Sequence, residues 1–87
     1  MERKVYVVVI NEYFKNYEGQ SNVGVFFNRE DALKEYDKIK NDFINDNPDY
    51  FLEEDEYEVA ETECHYEWLD EGMGYYFEVW VEEHIVK

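Results

Sequence analysis

One cysteine, one proline and four glycines stand among 87 residues, and each scarcity excludes something. A single thiol closes no intramolecular disulfide, so the fold does not depend on oxidation and a cytoplasmic setting is expected. With so little proline and glycine there is no low-complexity linker. Residues 1–87 read as one domain, large enough to bury roughly 60–65% of the unfolded chain's surface. No apolar run approaches the roughly 20 residues of a membrane span, and no membrane association is expected. The basic-then-apolar opening, Met1-Glu2-Arg3-Lys4 and Val5 to Ile10, is too short for a signal peptide's core and reads as a strand. Basic residues are the scarcer charge: eight Lys and Arg against 23 Asp and Glu, a net charge of −15. No basic patch is present for direct contact with nucleic acid. Such a charge repels DNA, RNA and anionic lipid, and attracts basic proteins and cations.

What is abundant is acid and aromatic sequence together. Asp49 to Lys87 holds fourteen acids and one base, a net of −13, whereas residues 1–48 hold nine acids and seven bases, a net of −2. The same acidic stretch carries Tyr57, Tyr66, Trp68, Tyr75, Tyr76, Phe77 and Trp80. An aromatic content of 20% argues for a packed core despite the charge.

Taken in order, Lys4 to Asn11 is almost continuously β-branched and aromatic, which predicts a central strand. Glu12 to Asn22 is polar and reads as a long hairpin loop. Val23 to Phe27 predicts a second strand with Val23, Val25 and Phe27 on one face and Gly24 leaving room on the other. Asn28 is a good N-cap, and Glu30 and Asp31 suit the positive end of a helix dipole. Ala32, Leu33, Tyr36, Ile39, Lys40 and Phe43 fall on one helical stripe, and Asn45-Asp46-Asn47-Pro48 is a stop. In the link that follows, Tyr50-Phe51-Leu52 is the expected anchor to the core. Glu56 to Leu69 reads as one long strand whose inward parity changes, from Tyr57 and Val59 to Ala60, Thr62, Cys64, Tyr66 and Trp68. That change predicts a β-bulge near Val59-Ala60. After a turn at Asp70–Gly74, Tyr75 to Val86 alternates, with Tyr75, Phe77, Val79, Val81 and Ile85 inward and Tyr76, Glu78, Trp80, Glu82 and His84 outward. The expected fold is α+β, a four-stranded antiparallel sheet (β-β-α-β-β, order 2-1-3-4) with one helix packed on one face.

If the two long strands pair, their outward residues share a surface, with same-face neighbours about 6.6 Å apart along a strand and about 4.8 Å across. Glu61, Glu63, Glu67, Glu78 and Glu82 then form a carboxylate lattice, rimmed by Glu53 to Glu58, Asp70 and Glu71. Tyr76 and Trp80 stand inside it as exposed anchors of the kind common in protein interfaces. The plainer alternative is that the acids serve only solubility. Against that stands the self-repulsion of like-charge cross-strand pairs, a few tenths of a kcal/mol each, which binding would compensate.

Other chemistry is sparse. Glu63-Cys64-His65 resembles a ligand set on paper, but in a strand Cys64 points away from its neighbours. A zinc site would need His65 with Glu63 or with His84, and none is expected. Glu53-Glu54-Asp55-Glu56 lacks the spacing and glycine of a calcium loop. No catalytic constellation and no cofactor is expected, and the chain does not read as an enzyme.

The series Val5–Ile10, Val23-Gly24-Val25-Phe26-Phe27 and Asn28-Arg29-Glu30-Asp31-Ala32 resembles the strand–strand–helix opening of small phage and bacterial proteins of unknown function. The acidic half is similar, in size, charge and aromatic content, to the DNA-mimic proteins that phages use against host restriction and CRISPR nucleases. That resemblance implies a non-catalytic inhibitor occupying the basic groove of a nuclease or other nucleic-acid-binding protein, in the host cytoplasm if phage-encoded. The partner-binding residues would be Glu61, Glu63, Glu67, Tyr76, Glu78, Trp80 and Glu82. The alternative is a self-associating structural domain whose open sheet face or edge strand makes a homodimer through Tyr76 and Trp80.

Overall fold

The computed structural model describes residues 3–14, 17–52 and 57–86. Five strands and one long helix follow in the order β1 (Arg3–Phe14), β2 (Tyr17–Phe26), α1 (Arg29–Asp46), a one-turn 3-10 helix (Pro48–Phe51), β3 (Glu58–Thr62), β4 (His65–Asp70) and β5 (Tyr75–Val86). All pairings are antiparallel and the sheet order is β2-β1-β5-β4-β3. The α+β class and the single helix on one sheet face match the expectation. Among the described residues no helix is long and apolar enough to cross a membrane.

Three expectations about the sheet are corrected. The polar Glu12–Asn22 stretch is mostly strand, because β1 and β2 pair as far as Phe14 and Tyr17. An edge ribbon needs its backbone ladder more than it needs apolar side chains. The long third strand is two strands: Thr62 pairs with His65 across a two-residue turn, Glu63-Cys64. The parity change belongs to that turn and not to a bulge at Val59-Ala60, since a tight hairpin puts Thr62 and His65 side by side on one face. Finally, the last strand is interior. β5 lies between β1 and β4 and pairs with β1 over eleven positions, so the order 2-1-3-4 does not hold.

Helix α1 forms where its sequence predicts. Asn28 is extended at φ −131°, and its side chain accepts the Glu30 N–H at 2.8 Å, a cap worth about 1 kcal/mol. At the far end Asn47 closes the helix by donating from Nδ2 to the Phe43 carbonyl at 2.9 Å. Ala32, Tyr36 and Phe43 are buried against the sheet. Their partners are Val8, Tyr66, Trp68, Phe77 and Val79, with Tyr6, Ile10, Phe14 and Phe26 packed around them. The core is largely aromatic. Phe43 stacks on Phe77 with centroids 3.9 Å apart, and Trp68 stacks on Tyr50 at 5.0 Å. Tyr50 and Phe51 do anchor the link, whereas Leu52 is 74% exposed.

On β2 the inward residue is Phe26, while Val25 is 61% and Phe27 83% exposed. The register slips between Val8 and Val9, so that Val8 opposes Gly24 and Val9 opposes Asn22. That slip leaves Val23 without a partner and sets Gly24, not Val25, on the helix side. A Cβ at Gly24 would lie 3.1 Å from the Phe26 ring. Ile85, expected inward, is exposed.

The β4–β5 connection is built on Asp70. Its buried carboxylate accepts the Met73 N–H at 3.0 Å and its carbonyl accepts Gly74 N–H at 2.8 Å. Gly74 has φ +72°, the left-handed conformation that glycine adopts without a Cβ penalty. Asp70 is therefore a turn residue and not part of an acidic rim.

Candidate functional site

With α1 on one face, the other face of the sheet has no described element over it. Strand parity places Val5, Val7, Val9, Asn11 and Tyr13 of β1 there, with Tyr76, Glu78, Trp80, Glu82 and His84 of β5, His65, Glu67 and Leu69 of β4, and Glu58 of β3. The surface is apolar along β1 and becomes acidic and aromatic across β5 and β4. Val9 is only 2% exposed although no helix covers it. It pairs with Trp80 on one side and Asn22 on the other.

Of the seven residues singled out in the sequence, five lie on this face: Glu67, Tyr76, Glu78, Trp80 and Glu82. Glu61 and Glu63 do not. Glu61 pairs with Tyr66 and therefore faces the helix, where Lys40 Nζ reaches its Oε1 at 2.8 Å. Glu63 sits in the hairpin turn and accepts a hydrogen bond from Arg29 Nη1 at 3.2 Å. Between these two contacts, Tyr36 donates its hydroxyl to the Thr62 carbonyl at 3.3 Å. Arg29, Tyr36 and Lys40 thus run along one side of α1 and meet Glu63, Thr62 and Glu61 in reverse order. The acids serve to fasten the helix to the β3–β4 hairpin. Lys40 also neighbours Asp37 at 3.6 Å, and its ammonium is held in the charged form chiefly by the Glu61 hydrogen bond.

The residues that remain on the open face are tied together. Glu78 accepts from the Tyr76 hydroxyl at Oε1 and contacts His65 Nε2 through Oε2, both at 2.5 Å. Four positions along, Glu82 accepts from Trp80 Nε1 at 2.9 Å, and His84 Nε2 lies 2.9 Å from its other oxygen. Each carboxylate is thereby flanked by an aromatic donor two residues before it and by an imidazole. Tyr76 and Trp80 are half-buried and turned toward these carboxylates; they are not free-standing anchors. Burial, followed by the bond to Glu78, pushes the Tyr76 phenol well above its ordinary pKa. The bonds from Trp80 and then His84 hold the Glu82 carboxyl below the usual carboxylate range.

Glu67 is directly opposite Glu78, with His65 two residues before Glu67 on the same strand face. One ligand atom from each of His65, Glu67 and Glu78 lies within 4.8 Å of the other two. The sequence reading paired His65 with Glu63 or His84 and missed this group. The signal for it was register: it needs β4 and β5 paired with Glu67 against Glu78, which no local pattern specifies. Cys64 stays out of the group; it occupies the turn, and its carbonyl accepts Val81 N–H at 2.9 Å. Residues 53–56, expected to rim the site, lie outside the described residues.

Cations are distributed unequally. Among the described residues Lys4, Arg29, Lys34, Lys38 and Lys40 lie on the helix or on the helix side of the sheet. Only Arg3, opposite Val86 at the far end, falls on the open face. Comparison with protein-family models, with curated proteins and with solved structures finds no match for this chain.

Proposed function

We propose that the chain is a non-catalytic, acidic protein-binding module whose open sheet face docks on a basic surface. The nucleic-acid groove of a nuclease or other DNA-binding protein, occupied by mimicry of phosphate charge, is the partner class that fits. One observation carries this reading: Glu67, Glu78 and Glu82 stand on an uncovered face beside Tyr76 and Trp80, while five of the six described Lys and Arg residues lie on the other side. The carboxylates of Glu78 and Glu82 are already fixed by neighbouring donors, so ordering them on binding costs little conformational entropy. Field and geometry together favour steered, salt-sensitive association.

The test is capture from host lysate with the tagged protein at low and high salt, followed by identification of what is retained. The reading expects a basic nucleic-acid enzyme held at low salt, released at high salt, and lost when Glu67, Glu78 and Glu82 are all changed to Gln. Retention of that partner by the triple variant overturns it. The Glu61→Gln, Glu63→Gln pair is the control, since these side chains face the helix and should leave capture intact.

A second reading is self-association along β2. It is an edge strand, with Val23 and Val25 exposed within it and Phe27 exposed just after it, the kind of edge that adds a strand from another copy. This moves the homodimer contact away from Tyr76 and Trp80. A mass that rises with concentration, and falls back with Val25→Lys, would favour it.

A further inference from the structure

We propose that His65, Glu67 and Glu78 form a binding site for one divalent transition-metal ion, with zinc as the best-fitting occupant. The site shares Glu67 and Glu78 with the docking face proposed above, but it is argued from ligand geometry and does not rest on that reading. Its three side chains come from two paired strands in the interior half of the sheet: His65 and Glu67 on the same face of β4, Glu78 opposite Glu67 on β5. Their ligand atoms already lie within 4.8 Å of one another, and all three residues are half-buried.

The donor set decides the class of ion. One imidazole nitrogen with two carboxylate oxygens suits zinc, whereas calcium and magnesium prefer oxygen alone and more of it. Three protein ligands leave a coordination position for water. Zinc bonds of about 2.0–2.2 Å at tetrahedral angles place ligand atoms roughly 3.3–3.5 Å apart. On binding, the His65 Nε2 to Glu78 Oε2 separation of 2.5 Å must therefore open by about 1 Å.

Two further features fit the assignment. The Tyr76 hydroxyl holds Glu78 Oε1, leaving Oε2 to face His65. This is the outer hydrogen bond that orients a metal-binding carboxylate and tunes its affinity. Glu67 and Glu78, as directly opposed like charges, repel each other. Among the described residues every Lys and Arg is on the far side or the far end of the sheet, so none of them stands against the pair. A dication between the carboxylates turns that repulsion into binding energy.

The experiment is calorimetric titration of Zn²⁺ into the chelator-stripped full chain, with Co²⁺ as the spectroscopic probe. Expected are one saturable Zn²⁺ per chain, visible Co²⁺ bands of a low-coordinate nitrogen and oxygen site, and no saturable site for Mg²⁺. His65→Ala and Glu78→Gln should each weaken Zn²⁺ binding by more than the ~10–100-fold typical of an outer partner, and Tyr76→Phe by about 10-fold. Glu71→Gln and Glu83→Gln, exposed acids elsewhere, should change nothing. Glu67→Gln, with circular dichroism to verify folding, is the second ligand variant should His65→Ala not fold. Several weak equivalents of Zn²⁺, or undiminished binding by a folded His65→Ala or Glu67→Gln protein, means diffuse association with an acidic surface and overturns the site.

Discussion

Lys40 and Glu61 meet at 2.8 Å on the helix side of the sheet, two strands away from Glu78 and on the opposite face. Glu61 looks in the sequence like one more member of an acidic array, and in the fold it is half of a fastening. Its partner is largely covered, with only 17% of the Lys40 side chain exposed and the ammonium 5.4 Å from the Tyr36 ring centre. The pair closes a seam that also includes the Arg29–Glu63 contact.

The first prediction follows from that seam. A double-mutant cycle of Lys40→Met with Glu61→Gln, followed by urea unfolding, should give a coupling of about 0.5–1 kcal/mol, the upper end of measured exposed pairs, because one partner is mostly covered. The coupling should shrink as salt is added. Strict additivity at low salt would mean that the two side chains do not hold the helix.

A second prediction concerns alkaline pH. Burial, reinforced by the Glu61 charge, pushes the phenols of Tyr36 and Tyr66 from 10.0 to about 12. Both are protonated and neutral in the core, and their folded pKa lies above the unfolded one. Their contribution is therefore complete below pH 10 and is lost as pH rises toward 12. Stability measured by denaturant should fall across that window. Tyrosinate absorbance should show a late phase coinciding with unfolding, and Tyr66→Phe should make the fall shallower. A single early phenol titration in the folded protein contradicts the packing at both sites.

These features were unequally legible in the sequence. Helix α1, its Asn28 cap, its buried stripe and the alternation of β5 are local patterns, and local patterns survive folding. The Glu63-Cys64 turn is not visible in the sequence because it uses neither glycine, asparagine nor proline, and among the described residues no non-glycine adopts positive φ. The change of parity marks a discontinuity in the sequence, but the break falls at Glu63-Cys64, four residues after Val59-Ala60. Once that turn is missed, Glu61 and Glu63 are carried to the wrong face and Glu67 cannot be set against Glu78. Tyr17–Gln20 looked like a loop because edge strands need not be apolar. The central position of β5 is a long-range outcome, set by a ladder between chain ends about seventy residues apart.

A third prediction uses Trp68. It is fully buried among Phe43, Tyr50 and Phe51, and its indole N–H has no hydrogen-bond partner among the described residues. A buried donor left unpaired costs about 1–3 kcal/mol. Trp68→Ala should destabilise by about 3–5 kcal/mol through the cavity it leaves. Trp68→Phe should cost far less, because the loss of buried surface is offset by removal of the orphaned donor. Equal losses from the two variants would mean that the N–H is satisfied in solution, by water or by a residue outside those described.

The last prediction sets stability against function on the open face. Glu67 and Glu78 oppose each other directly, and like charges in such a pair cost a few tenths of a kcal/mol. Glu78 is hydrogen-bonded by Tyr76, so its replacement also removes a partner from a half-buried hydroxyl. Glu67 carries no such obligation, and Glu67→Gln isolates the charge effect. With metal chelated and at low salt, this variant should be more stable than the parent by roughly 0.2–1 kcal/mol, and the gain should fade as screening increases. The same change should weaken capture of a basic partner. A surface whose acids serve only solubility would show the gain without the loss. A parent as stable as the variant at every salt concentration would mean that no repulsion remains at the pair for a partner or a metal ion to relieve.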